Sequence, residues 1–160
     1  MTVLEKLAKL CAILAGVLLT VITLMTCISL IGRNTIGTAL AGDFELTGVA
    51  TGAAIALFMP WCQIRRGNII VDFFTAKASA QTNASLDRLG ALLLALTFCL
   101  LAWRTTVGGI NAYATQSGTM MLGFPEWIIY VSMVPAFVLT AIIAFAQAVS
   151  GFESEDGASA

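Results

Sequence analysis

The sequence contains no histidine. Histidine titrates near neutrality and is a usual axial ligand of haem, so its absence excludes a bis-histidine haem anchor, a histidine metal site and a histidine proton relay. Charge is scarce as well: 11% of the 160 residues are charged, against about 25% in a soluble domain. Cysteine is present, but Cys11, Cys27, Cys62 and Cys99 are widely spaced, with no C-x-x-C pair. That spacing argues against a thiol-oxidising enzyme and for cysteine as a small apolar residue. No nucleophile and base stand together as a catalytic pair. The chain is therefore not expected to be an enzyme, to hold a cofactor or metal, or to bind nucleic acid.

What fills the sequence is apolar: 59% of the residues are hydrophobic and the mean hydropathy is +0.93. Crossing roughly 30 Å of hydrocarbon takes about 20 mainly apolar residues. Four runs of that length lie between the charges, at about 10–31, 44–64, 86–110 and 127–149. Backbone groups in lipid must be satisfied within the segment, and runs this long suit helices rather than the short alternating strands of a barrel. The expected fold is an all-α integral membrane protein, a single four-helix membrane domain over residues 1–150 followed by an acidic disordered tail, 151–160. The first run is longer than the core of a cleaved signal and leads into no small-residue cleavage site, so it is read as a true span.

Cytoplasmic loops retain lysine and arginine. Lys6 and Lys9 precede the first span, and Arg65, Arg66, Lys77 and Arg88 lie at or between the ends of the second and third, whereas the other side has only Arg33 and Arg104. This asymmetry places both termini in the cytoplasm. Between spans two and three, "RRGNIIVDFF" gathers charge around an apolar set. Gly67 suits a helix end in the left-handed conformation, and Asn68 a new cap. Ile69, Ile70, Phe73 and Phe74 then share one face of a short amphipathic helix, about 69–80, lying in the interface with Arg65, Arg66 and Lys77 toward headgroups and Asp72 pointing elsewhere.

Ionisable residues within spans are costly and are treated first as functional. Glu45 opens span two. It can cap the positive end of the helix dipole, with a partner such as Arg33, or serve as the coupling carboxylate of an autonomous homodimeric proton-coupled multidrug exporter. Its position in the first turn favours the cap. Gly42-x-x-Glu45 also resembles Gly123-x-x-Glu126, a weak sign of an internal repeat. Arg104, far along span three, snorkels to water or pairs with a partner. Gly48-x-x-x-Gly52 lets another helix approach closely, within the chain or from outside it.

These residues resemble a family, the small (DctQ-like) membrane subunit of tripartite ATP-independent periplasmic transporters. The likeness runs from about Arg33 to Gln147 and rests on the acidic Glu45, on "RRGNIIVDFF", and on "LGFPEWIIYVSMVPAF" with Pro125 and Trp127 entering span four. Asn68, where histidine is frequent, and Ala136, where glycine often follows the second proline, depart from the pattern. The resemblance implies a non-enzymatic scaffold beside a large (M-type) elevator subunit, which imports small organic anions with sodium after a periplasmic binding protein delivers them. It also implies a bacterial or archaeal inner-membrane location. The expected partner, lipid and structural contacts are Arg33, Glu45, Gly48, Gly52, Arg65, Arg66, Gly67, Ile69, Ile70, Asp72, Phe73, Phe74, Arg104, Pro125 and Trp127.

Overall fold

A computed structural model describes residues 2–38, 40–65, 67 and 80–150. Among these residues four helices form: α1 (Thr2–Thr35), α2 (Asp43–Ile64), α3 (Ala80–Ala114) and α4 (Trp127–Ser150). All four are long and apolar enough to cross a membrane. At a rise of 1.5 Å per residue, the 22 residues of α2 and 24 of α4 span about 33 and 36 Å, close to the hydrocarbon thickness. The 34 residues of α1 and 35 of α3 reach about 51 and 52 Å and overrun it.

The helices pack in the order α1, α2, α4, α3, with α1 only grazing α4. The result is a single layer one helix thick, in which α1–α2 and α4–α3 are antiparallel hairpins and the central pair, α2 and α4, run parallel. Each seam has its own chemistry. On α1 the buried positions are Ala8, Ala15, Ile22 and Ser29, one every seven residues, with the half-buried Cys11, Leu18 and Met25 between them and Leu4 and Gly32 flanking them. A strict 3.5-residue period keeps one stripe against a neighbour, as in a left-handed coil. On α3 the buried Ala91, Ala95, Ala102 and Ala112 follow the same period. There Phe98 meets Phe137 at 5.9 Å between ring centroids, and Tyr130 lies so close to Gly108 and Gly109 that an added Cβ would sit 3.2 and 2.9 Å from its ring and its own Cβ.

The residues buried on the central pair are mostly small: Ala53, Ala54, Ala56 and Pro60 of α2, and Ala136, Thr140, Ala141 and Ala144 beside Ile143 of α4. In lipid no hydrophobic force drives helices together, and close backbone approach does that work instead. Hydroxyls elsewhere are absorbed locally: Thr20, Thr23 and Thr97 donate to carbonyls four residues back at 2.9, 2.8 and 2.8 Å. Each can then face lipid without an unmet donor.

At the chain-terminal end the central seam closes on a buried amide pair. Gln63 Nε2 donates to Gln147 Oε1 at 2.7 Å, and Gln147 Nε2 donates back to the Gln63 carbonyl at 3.1 Å. Replacing Gln147 with leucine is expected to lower unfolding stability in mixed micelles by about 1 kcal/mol. The Gln63→Leu, Gln147→Leu pair should lose less than the two single changes summed, because no amide is left facing an apolar partner. Strict additivity in that double-mutant cycle would show that the amides do not interact.

Candidate partner interface

The two interhelical connections, residues 36–42 and 115–126, come together at the other end of the layer, and acidic side chains organise them. Ser29, the last buried position of the α1 stripe, donates its hydroxyl to Asp43 Oδ2 and receives the Leu40 N–H at 3.4 Å. Asp43 Oδ1 accepts the Phe44 N–H at 2.7 Å. A single serine and a single aspartate thus turn the first hairpin. Neither was singled out from the sequence; the seven-residue spacing from Ala8 to Ser29 was the available signal.

Glu45, two residues on, reaches outside its own hairpin. Its Oε1 accepts the Met121 N–H at 2.8 Å and its Oε2 the Leu122 N–H at 3.2 Å. Both oxygens of this half-buried carboxylate are held by backbone amides more than seventy residues away in sequence. Amides satisfy it rather than Arg33, which is exposed at the end of α1 and acts electrostatically on Asp43. Gly42 caps α2 at φ 78°, and a Cβ there would overlap the Leu122 side chain. Gly123 has a matching φ of 63°, so both G-x-x-E corners turn on a left-handed glycine. Of the two corner glutamates, it is Glu45 whose carboxylate reaches the other hairpin.

The second connection is folded on itself. Thr119 N–H donates to the Phe124 carbonyl at 3.0 Å, Gly123 N–H to the Thr119 carbonyl at 2.9 Å and Glu126 N–H to the Ser117 carbonyl at 3.1 Å. Exposed Pro125 pairs with Gly118 in an isolated bridge, and Trp127 meets Tyr113 edge-on at 5.9 Å between centroids.

The glycine motif of α2 is open. A Cβ at Gly48 or Gly52 meets nothing within 4 Å, so this pair is not used for packing among the described residues. Arg104 is exposed on α3, ten residues before the helix ends. Arg65, exposed at the opposite end of α2, carries its guanidinium 4.9 Å from the Trp61 ring centroid. Gly67 closes α2 by donating its N–H to the Cys62 carbonyl at 2.9 Å. Arg66, Ile69, Ile70, Asp72, Phe73 and Phe74, with the expected interfacial helix apart from Ala80, which opens α3, lie outside the described residues, as does the tail.

The geometry defines an all-helical multi-pass membrane component whose described polar groups serve architecture. A family model, the DctQ component of tripartite ATP-independent periplasmic transporters, matches residues 22–154. The chain belongs to that family and is the small membrane subunit of such a transporter. No curated protein and no solved structure matches it significantly.

Two outcomes check this corner. Glu45→Gln leaves a neutral acceptor on two amides, so hydrogen exchange at Met121 and Leu122 should accelerate by about tenfold, the difference between a charged and a neutral acceptor; unchanged protection would refute the link. Gly42→Ala should destabilise the chain by about 1–3 kcal/mol, read from its denaturation midpoint, because it combines a left-handed backbone with overlap on Leu122.

Proposed function

We propose that the chain is a static brace for a large, moving membrane subunit in a sodium-coupled transporter. That transporter imports small organic anions delivered by a periplasmic binding protein, and the brace sits in the inner membrane with both termini cytoplasmic. Family membership supports the transport role. The observation that carries the brace reading is the open glycine pair on α2, in a layer whose other seams are closed by alanine, glycine and aromatic contacts. A helix face lined by Gly48 and Gly52 admits a partner helix at close range, and the one-helix-thick layer leaves that face uncovered. Glu45, tied by both oxygens to backbone amides, acts here as a structural clamp rather than a proton carrier.

Gly48→Leu with Gly52→Leu is the decisive pair. The side chains enter open space, so the isolated chain should keep its helicity and denaturation midpoint in detergent. Co-purification of the large subunit with the tagged chain should fall sharply, and substrate uptake by cells with it. Retained association would remove this face as the interface. Uptake by the chain alone in liposomes would replace the brace with an autonomous carrier.

A further inference from the structure

Apolar side chains crowd the hairpin end, where water-facing loops are ordinarily polar. Met120 is 100% exposed, Phe44 89%, Ile36 77% and Met121 70%. No Asp, Glu, Lys or Arg occurs from Thr35 to Gly42 or from Thr115 to Pro125.

The backbone of the second connection is equally unusual. From Thr119 to Glu126 every available N–H except that of Met120 donates to an acceptor inside the chain. Thr119 and Phe124 bond each other's connection, through the Phe124 carbonyl and the Thr119 hydroxyl at 3.0 and 3.1 Å. Met121 and Leu122 direct their amides to the Glu45 carboxylate. Gly123 and Glu126 donate to Thr119 and Ser117, and Pro125 has no donor to satisfy. Unmet backbone donors are what keep irregular loops out of lipid, and this loop has a single one, at Met120, over that stretch.

Its depth fits as well. The amides of Met121 and Leu122 rest on the third residue of α2, a helix of about bilayer length, so the tip lies level with the end of a span rather than far beyond it. Tyr113 and Trp127, amphipathic rings of the kind that settle at the membrane–water boundary, stand at its two feet. The patch also continues the lipid-facing surface of α3, where Ile110 and Tyr113 are exposed.

We propose that the α3–α4 connection is an interfacial lipid anchor: Met120 and Met121 seat in the leaflet at the hairpin end, beside Phe44 and Ile36, and Glu45 enables this by taking up the tip amides. The anchor fixes the layer's depth in the bilayer and does not depend on what the chain helps to transport.

The test places a nitroxide on Met121→Cys in a chain whose native cysteines are alanine, purified with its bound subunits in nanodiscs of phosphatidylethanolamine and phosphatidylglycerol. Collisions with oxygen, which partitions into lipid, are compared with those of a water-soluble nickel chelate, taking a label at Leu96 as the lipid reference. The oxygen-to-chelate ratio should approach that of Leu96, and Glu45→Gln should lower it several-fold. A ratio dominated by the chelate places the tip in water, and a label reached by neither places it under protein; either overturns the proposal. On the unmodified chain, a phospholipid with a diazirine near its headgroup should modify the peptide containing Met120 and Met121, and absence of that adduct likewise overturns it.

Discussion

The Glu45 carboxylate, holding the Met121 and Leu122 amides, is the contact on which the rest of the arrangement turns. A hairpin of two apolar helices is locally determined, because its turn and its facing stripes lie close in sequence. The relation between two hairpins is not. Lipid is as apolar as the helices, so sliding α4 along α2 exposes nothing that water would punish. Register must come from directional contacts, and a carboxylate with both oxygens on backbone amides is directional and strengthened by charge. The same bond also takes up donors that would otherwise have to stay in water.

A second directional contact sits at the far end of the same seam. Between Glu45 and the Gln63–Gln147 pair, the buried residues of α2 and α4 are mostly alanines, which permit close backbone approach. Polar contacts at two ends and small residues between them constrain both register and separation. The outer helices are held differently: α1 and α3 each lean mainly on one neighbour along a seven-residue stripe. Directional polar contacts therefore hold both ends of the parallel central pair.

The four spans were legible because length and apolarity alone define them. The direction of packing was not, because a helix apolar on every side has no hydrophobic face to read. Size is the surviving signal: Ala8, Ala15, Ile22 and Ser29 mark the α1 stripe, and alanines mark that of α3. Glu45 was recognisable as an exception but its partner was not, since backbone amides leave no trace in residue identity. Gln63 and Gln147 were hidden for a related reason; amides 84 residues apart look like ordinary span-end polar residues until the helices are set side by side. Gly48 and Gly52 were visible as a packing motif, and the open space around them shows that no described residue packs against it.

A layer one helix thick buries little, and its exposed residues include most of the large apolar side chains of α1 and α3. Such a layer cannot enclose a water-filled path between its own helices, because a path needs walls on more than one side. It can supply one wall to something else. A wall that resists a moving neighbour must not shear, and shear between α2 and α4 would have to break the Glu45 clamp and the Gln63–Gln147 pair together. The open glycines lie on α2, one of the two helices so tied. On the proposed brace reading, force entering there would pass into the helix pair that these two polar contacts hold in register.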